Sequence, residues 1–315
     1  MLAPLQCSCL TTRSCQARCS PSSARKKGSA AFSIVIPVYN EEKGITPTLE
    51  LLQEQLKLSN CTYEIVVVND GSKDRTGEIL RELQELMTFR LIEHPRNRGY
   101  GAALKTGIRQ AKYGAIVITD GDGTYPNERI PQLVALLENA DMVVGARTGA
   151  NVSYPTIRKI PKWFLVRFAE WITNSRILDL NSGLRVFRKS VVERFFTILP
   201  DTFSFTTTIT LAMLTNGYLV HYEPIDYFAR QGKSKIKPIR DTLRFVQLIL
   251  RVGMYFAPLR VFLPIAGFFF LGFLFTLIQD IFVHEDLTER TLLLLIAATQ
   301  TGMFALLADM IDKRT

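Results

Sequence analysis

Two aspartates stand one residue apart at the end of an apolar run, in the segment AIVITDGDGTYP at residues 115–126. Asp120 and Asp122 are each followed by a glycine, which lets the backbone come close to a ligand. Paired carboxylates on a turn can hold a hard divalent cation, and Mg²⁺ or Mn²⁺ held in this way commonly bridges phosphate oxygens. A solvated turn is the more common explanation of an isolated Asp-Gly-Asp. The secondary structure around the motif therefore decides between a solvated turn and a metal site.

Strands and helices alternate regularly from residue 32 onward. The apolar segments FSIVIPVYN, YEIVVVNDGS, FRLIEHPRNRG and AIVITDGDG are separated by three segments with helical spacing. This alternation predicts βαβ units, a parallel sheet and helices on both of its faces. In such sheets ligands bind beyond the carboxyl ends of the strands. The polar or turn residues that fall at those ends are Pro37, Tyr39, Asp70, Asp120 and Asp122.

Two apolar segments near the C-terminus predict a helical hairpin through a membrane. Residues 261–283 and 291–308 are each close to the roughly 20 residues that a bilayer-spanning helix needs, and only HEDLTER separates them. A pair of buried core helices is the alternative. Residues 151–260 contain seventeen Lys or Arg and seven Asp or Glu within a chain of net charge +9. This basic block predicts that the first domain lies on the cytosolic side and the acidic loop on the far side.

The first thirty residues differ from the rest. They contain Cys7, Cys9, Cys15 and Cys19, five basic residues and no acid. They lack the apolar core of a secretory signal, so we expect a disordered or targeting tail. The cysteine spacing matches none of the common zinc patterns.

Several segments together resemble a known family. SIVIPVYNEE, VVVNDGSKDRT, NRGYGAALKTGI and TDGDGTYP, in this order and spacing, resemble the family-two inverting glycosyltransferases of GT-A fold. LDLNSGLRVFRK and RQGKSK narrow the resemblance to the polyprenyl-phosphate glycosyltransferases of the dolichyl-phosphate mannose synthase type. The resemblance covers roughly residues 32–240, and a terminal membrane hairpin occurs in one subgroup. The motifs do not identify the sugar.

The resemblance implies roles for individual positions. We expect Asp122, Asp179 and Arg230 to be catalytic, Asp179 as an acid beside the acceptor and Arg230 in a segment that closes on phosphate. Thr124 departs from the family, because many mannose synthases carry Gln there, which leaves metal coordination from this side chain open. The expected donor contacts are Pro37, Tyr39, Glu41, Asp70, Lys105, Asp120, Gly121 and Asp122. The expected acceptor or phosphate contacts are Arg147, Ser182, Arg230, Ser234 and Lys235, and the expected metal ligands are Asp120 and Asp122.

The resemblance also implies a reaction. A hexose, mannose or glucose, would pass from a GDP- or UDP-sugar to the phosphate of a polyprenyl or dolichyl phosphate, with inversion and with Mg²⁺ or Mn²⁺ as cofactor. The acceptor phosphate is already an anion near neutral pH, so catalysis would depend mainly on positioning and electrostatic stabilisation. Asp179 would orient the acceptor or act as a base.

These patterns divide the chain into four parts. We expect a tail at 1–30, an α/β GT-A (Rossmann-like) domain at 31–240, a juxtamembrane amphipathic helix at 241–260 and two transmembrane helices at 261–311. Residues 156–173 and 239–256 mix aromatic and basic side chains, which suits helices in the lipid headgroup region, although ordinary amphipathic core helices remain the alternative. The predicted location is the plasma membrane of a prokaryote or an organelle membrane, such as the endoplasmic reticulum, of a eukaryote.

Other functions remain to be weighed. A processive polysaccharide synthase would carry a Gln-x-x-Arg-Trp segment, which the sequence lacks, and two membrane helices make a poor channel. A non-catalytic sensor of nucleotide sugars would not need the acid pair and the phosphate-binding segment. The basic block adjoins the membrane helices, so anionic lipid is a better partner for it than nucleic acid. The sequence does not determine the oligomeric state and is compatible with a homo-oligomer.

Overall fold

The computed structural model describes residues 31–59, 61–148, 159–202, 204–228, 238–284 and 287–312. Side chains are described from 166 in the helix that begins at 159 and from 246 in the helix that begins at 238. The strands of this part of the chain are β1 (Phe32–Val38), β2 (Tyr63–Asn69), β3 (Arg90–Glu93), β4 (Ala115–Ile118), β5 (Met142–Ala146), β6 (Arg185–Arg188) and β7 (Val220–Pro224). Its α-helices are α1 (Ile45–Leu58), α2 (Thr76–Leu86), α3 (Tyr100–Gln110), α4 (Ile130–Leu136), α5 (Lys159–Thr173), α6 (Lys189–Arg194), α7 (Phe205–Thr215), α8 (Pro238–Phe256), α9 (Pro258–Gln279) and α10 (Glu289–Asp312).

The strands form one sheet in the order β3-β2-β1-β4-β6-β5-β7. The predicted βαβ units are present, because β1 pairs in parallel with both β2 and β4, and β2 pairs in parallel with β3. The strand order reverses between β1 and β4, which is the topological switch point where α/β sheets bind ligands. Asp120 and Asp122 follow β4 at this point.

The sheet is mixed, whereas the sequence predicted a parallel one. Strand β6 runs antiparallel to both of its neighbours, with Ile116 opposite Phe187 and Val143 opposite Val186. An antiparallel strand begins at the edge where its neighbours end. The residues that enter β6, including Asp179 and Gly183, therefore lie at the same edge as the acids that follow the parallel strands.

Helices cover both faces of the sheet, as predicted. Alternate residues of a strand point to opposite faces. Ile34 and Ile36 therefore pack with α1, α2 and α4 in one core cluster. Val35 packs with α3, α6 and α7 in a second cluster on the other face. Because helices cover both faces of β1, the strand is buried along its whole length.

The loops after β1 and β2 hold each other at the ligand edge, the edge of the sheet where its parallel strands end. Asn40 lies in the left-handed region at φ 54°, a conformation that Asn adopts more readily than most residues. Its backbone N–H donates to the Ser72 hydroxyl at 3.0 Å, and its side-chain oxygen accepts from the Lys73 backbone at 2.8 Å. The Glu41 backbone donates to Thr76 Oγ1 at 3.0 Å. These bonds fix the spacing between the two loops.

The C-terminal helices divide into a packed pair and an exposed pair. Helices α5 and α8 each bury one face against α7, through residues such as Ile172, Ile249 and Val252, while Trp171 stays exposed. Helices α5 and α8 therefore pack as amphipathic core helices do, and α5 also keeps an exposed aromatic side chain, as a helix in the lipid headgroup region would. Two candidate membrane spans follow, Pro258–Phe282 and Glu289–Ile311, with 11% and 17% of their most apolar windows buried. Such low burial argues against the alternative of core helices.

Candidate active site

The first acid of the pair, Asp120, is held from two sides. The Tyr100 hydroxyl donates a hydrogen bond to its Oδ1 at 3.0 Å. On the other side, a Cβ added to Gly183 would lie 2.6 Å from Asp120 Oδ2, so only glycine lets the carboxylate approach the backbone there. Burial and the neighbouring Asp120 charge raise the pKa of Tyr100 well above its ordinary value, which keeps this phenol a hydrogen-bond donor.

The second acid, Asp122, is oriented by Thr124. Asp122 Oδ1 accepts from the Thr124 backbone N–H at 3.2 Å and from its hydroxyl at 2.7 Å. Gly123 between them has φ +70°, a conformation that favours glycine. Gly121 is buried, and a Cβ added to it would lie 3.3–3.5 Å from the side chains of Ile36, Val38 and Ile45. The Thr124 position that departs from the family pattern thus positions a carboxylate.

The chemistry of the acid pair fits a metal that is shared with a ligand. Among the described residues, no group of three or more His, Cys, Asp or Glu side chains is assembled that could hold an ion. Mg²⁺ usually keeps several waters and binds through one or two carboxylates together with substrate phosphates. Two carboxylates on one turn suit a metal of that kind better than a closed protein site.

Asp70, at the end of β2, binds the loop that precedes α3. Its Oδ1 accepts from the Arg98 backbone N–H at 2.9 Å, and its Oδ2 accepts from the Gly99 backbone at 2.8 Å. His94 Nδ1 lies 2.7 Å from Oδ1, and His94 Nε2 lies 3.0 Å from Thr106 Oγ1. Nothing in the sequence spacing of His94 and Asp70 indicated this contact.

Asp179, six residues before β6, and Arg147, directly after β5, form a buried ion pair. Arg147 Nε lies 2.7 Å from Asp179 Oδ2, and its Nη2 lies 2.9 Å from Oδ1. The backbone N–H groups of Arg147 and Asn181 also donate to Asp179, at 3.1 and 3.0 Å. Four donors occupy the roughly four acceptor positions of a carboxylate. Asp179 is therefore saturated.

The pKa of Asp179 follows from these contacts. Burial raises this pKa. The hydrogen bonds and charge of Arg147, together with the two backbone donors, outweigh burial and lower the pKa from its ordinary value of 3.8 to about 2. Ionised Asp179 therefore contributes stability that is present above about pH 4 and is lost as the pH falls through about 2. A carboxylate that remains ionised and fully hydrogen-bonded at neutral pH is a poor general base.

A pH-rate comparison tests this property of Asp179. We expect Asp179→Asn to slow turnover by the same factor at about pH 5.5 and about pH 8, because the carboxylate does not titrate in this range. The measurement is kcat/KM for the wild type and the variant across the range. Loss of an acidic limb from the profile on this substitution would instead indicate a titrating base.

Aromatic residues join the Arg147–Asp179 pair to the acid pair. The Arg147 guanidinium lies 5.2 Å from the centre of the Tyr227 ring, and Tyr227 packs edge-on against Tyr125 at 5.3 Å. The Tyr125 hydroxyl accepts a hydrogen bond from the Gly183 backbone at 2.6 Å. Gly183 in turn contacts Asp120, so a continuous set of contacts runs from one pair to the other.

A buried arginine supports the segment that carries Asp179. Arg185 is fully buried, and it donates to the carbonyl oxygens of Leu180 and Ser182, each at 2.7 Å, and to the Thr210 hydroxyl. Burial lowers the pKa of Arg185. Ser182 was predicted to contact the acceptor, but it is fully buried and its hydroxyl faces the Leu184 carbonyl. Its role in the structure is to support this segment.

The remaining predicted residues divide into three groups. Lys105 Nζ contacts the Leu199 carbonyl at 2.5 Å and Asp201 at 2.8 Å; it therefore holds residues 199–202 against α3, and its donor contact stays a prediction. Pro37 is buried within β1, and Tyr39 and Glu41 follow it half-buried at the ligand edge. Arg230, Ser234, Lys235 and the tail at 1–30 lie outside the described residues.

Comparison with known families and proteins gives a consistent result. The family described as "Glycosyl transferase family 2" matches residues 33–196. The family described as "GtrB C-terminal hairpin" matches residues 257–313.

Two relatives match over most of the chain. An undecaprenyl-phosphate 4-deoxy-4-formamido-L-arabinose transferase of Pseudomonas fluorescens is 32% identical over 246 residues, covering 76% of this chain and 69% of the relative. A dodecaprenyl-phosphate galacturonate synthase of Rhizobium johnstonii is 26% identical over 303 residues, covering 90% of this chain and 88% of the relative.

The fold also has solved counterparts. The glucosyl-3-phosphoglycerate synthase of Mycobacterium tuberculosis, crystallised with Mn²⁺, uridine diphosphate and phosphoglyceric acid, superposes with a TM-score of 0.53 at 18% identity. The match covers 71% of this chain and 78% of that one. The mixed α/β sheet is therefore GT-A-like, and helices that include two candidate membrane spans follow it.

Proposed function

Because the chain belongs to glycosyl transferase family 2 and carries a GtrB-type C-terminal hairpin, we propose that it transfers a sugar from a nucleoside diphosphate sugar to a polyprenyl phosphate. The two relatives described above act on undecaprenyl and dodecaprenyl phosphate, which supports the acceptor class. We propose a hexose, mannose or glucose, as the sugar, because the resemblance to the dolichyl-phosphate mannose synthase type implies one. Transfer would proceed in one step with inversion.

One structural observation carries this proposal. The acid pair that follows β4 and the Arg147–Asp179 pair lie at one edge of the sheet and are joined through Tyr125 and Gly183. The first pair suits a metal-bound diphosphate, and the second places a fixed cation where a phosphate acceptor can be held. A protein that only bound a nucleotide sugar would not require the second pair.

On the donor side, we propose that Asp120 and Asp122 hold Mg²⁺ or Mn²⁺ together with the donor diphosphate. When bound, the metal would neutralise charge that develops on the leaving diphosphate. Tyr100 and Thr124 fix the two carboxylates. Asp70, with the loop segment at Tyr39 and Glu41, would receive the base and ribose.

On the acceptor side, we propose that Arg147 binds the acceptor phosphate and that Asp179 is a positioning residue. Arginine suits phosphate because its planar guanidinium makes directed hydrogen bonds. Asp179 fixes the guanidinium plane through two side-chain bonds at 2.7 and 2.9 Å. The phosphate oxygen is already an anion near neutral pH, so the attack would not depend on proton removal by Asp179.

Arg230, Ser234 and Lys235 in RQGKSK remain proposed phosphate contacts. We expect Arg230→Ala to slow lipid glycosylation about tenfold to hundredfold, because a charge-assisted hydrogen bond is worth about 1.5–3 kcal/mol. Arg230→Lys should restore only part of the rate, since Lys lacks the planar fork. Turnover at saturating lipid and vesicle binding are measured on the same variants. Normal turnover with weaker vesicle binding would indicate membrane tethering instead of a phosphate contact.

We also propose that the catalytic domain and residue 315 lie on the cytosolic side, with residues 284–290 on the opposite side. The basic block that precedes the first span supports this orientation. In a variant without native cysteines, a single cysteine at 287 should react with an impermeant reagent added to sealed vesicles whose cytosolic face is inside, and one at 315 should not. The reverse labelling pattern would contradict this topology.

A donor panel tests the proposed function. Membranes that contain the protein are incubated with labelled UDP- and GDP-hexoses, and the lipid fraction is extracted. We expect label in the lipid fraction with one hexose donor and none in membranes without the protein. If no donor in the panel labels lipid, the proposed function is contradicted.

A further inference from the structure

The carboxylate of Asp70 has little hydrogen-bonding capacity left. A carboxylate offers about four acceptor positions, two on each oxygen. Oδ1 receives His94 Nδ1 at 2.7 Å and the Arg98 backbone at 2.9 Å, and Oδ2 receives the Gly99 backbone at 2.8 Å. Within the described part of the chain, these three groups are the donors to Asp70. One acceptor position therefore remains, and it is on Oδ2.

The His94 contact is built into the fold. The side chains of His94 and Asp70 are 5% and 3% exposed, so neither can turn away into solvent. A carboxylate oxygen can only accept, so the Nδ1 that faces Asp70 must carry the hydrogen. Nε2 of the same ring is bound to Thr106 Oγ1 at 3.0 Å. Helix α3 thus holds the ring in the orientation that occupies Oδ1.

Nucleotide bases differ in the number of donors that they present to a carboxylate. Uracil presents one N–H between two carbonyl groups, whereas guanine presents its ring N–H and its exocyclic amino group side by side. A guanine edge needs one acceptor position on each carboxylate oxygen. With Oδ1 occupied, guanine would bury one donor without a partner, which typically costs a factor of about ten or more in affinity.

We propose that His94 is a specificity-determining residue: by occupying Oδ1, it leaves Asp70 a single acceptor position and so selects uridine over guanosine diphosphate sugars. This inference rests on the proposed function, in which Asp70 faces the base of the donor. It narrows the proposed donor from a GDP- or UDP-sugar to a UDP-sugar. It also assigns a functional role to His94, a buried histidine that has no other role in the proposed transfer.

Four substitutions separate the contact from general structural effects. His94→Asn places an amide donor near the position of Nδ1 and should retain the preference. His94→Leu removes the donor, and His94→Gln moves its amide toward the position of Nε2, so both should free Oδ1. His221→Leu is the matched control, because His221 lies on β7 and its side chain is 47% exposed.

The measurement is the ratio of the dissociation constants of UDP and GDP for the full-length protein in nanodiscs, at one fixed Mn²⁺ concentration. We expect the wild type, His94→Asn and His221→Leu to bind UDP about tenfold or more tightly than GDP. In His94→Leu and His94→Gln the ratio should fall about tenfold, which corresponds to about 1.4 kcal/mol. Two such variants are used so that one remains if the other does not fold.

The outcomes distinguish this inference from the proposed function. If the wild type binds both nucleotides equally or prefers GDP, the inference is overturned. It is equally overturned if the UDP preference survives unchanged in both His94→Leu and His94→Gln, while the proposed function stands. If the wild type binds neither nucleotide, the proposed function fails, and the inference fails with it.

Discussion

Replacement of Asp122 by Asn is expected to reduce sugar transfer at least about 10³-fold, because the metal would lose a charged ligand that is worth about 4 kcal/mol or more in the transition state. The fold should survive, since the Asn side-chain oxygen can still accept from the Thr124 hydroxyl and backbone. The measurement is kcat for lipid glycosylation across a Mn²⁺ titration, with thermal unfolding recorded on the same samples.

Glu128→Gln provides the matched control for this substitution. Glu128 is an exposed acid six residues further along the same segment, and removal of its charge should leave transfer and Mn²⁺ dependence unchanged. Full activity of Asp122→Asn in excess EDTA would contradict the assignment of Asp120 and Asp122 as the metal site.

Replacement of Arg147 by Ala is expected to destabilise the protein by about 3–5 kcal/mol and to abolish transfer. The substitution leaves the Asp179 carboxylate buried without its cation, and removal of one partner of a buried pair has a cost of this size. Arg129→Ala is the control, because the Arg129–Glu223 pair at 3.4 Å is partly exposed and should contribute only about 0–1 kcal/mol. The measurement is denaturant unfolding of the solubilised protein.

A double variant separates stability from function at the same site. Apolar residues of similar size often replace a buried ion pair without loss of stability. Arg147→Met combined with Asp179→Leu should therefore regain most of the lost stability, while transfer stays at least about tenfold to hundredfold below the wild type. Recovery of transfer together with stability would show that the pair has a structural role only.

The first half of the fold could be predicted from sequence because its strands have a continuous apolar signal. β1 and β2 are long, and each ends in a polar loop that marks its carboxyl end. Strand β6 gave no such signal. β6 is only Arg185–Arg188, and the fully buried Arg185 interrupts its apolar pattern. Its antiparallel direction depends on the path of the chain through α5, which local residue preferences do not encode.

Within the candidate site, only the acid pair could be inferred from the spacing of residues in one loop. Asp120 and Asp122 stand together in the sequence, so their chemistry could be inferred from spacing. His94 and Asp70 are 24 residues apart, and Arg147 and Asp179 are 32 apart. Such pairs form because the sheet order brings loops together, and no local pattern records them. Lys105 and Ser182 were assigned from family motifs; in the structure Lys105 binds the Leu199 carbonyl and Asp201, and Ser182 is fully buried.

The stoichiometry of the reaction tests the central claim most directly. The purified protein is supplied with a labelled donor sugar and with either a polyprenyl phosphate or the unphosphorylated polyprenol of the same length. A polyprenyl-phosphate glycosyltransferase should release one nucleoside diphosphate for each singly glycosylated lipid that it forms, and only with the phosphorylated acceptor. Equal turnover with both lipids, release of the nucleotide without a lipid product, or lipids that carry several sugars would contradict the account.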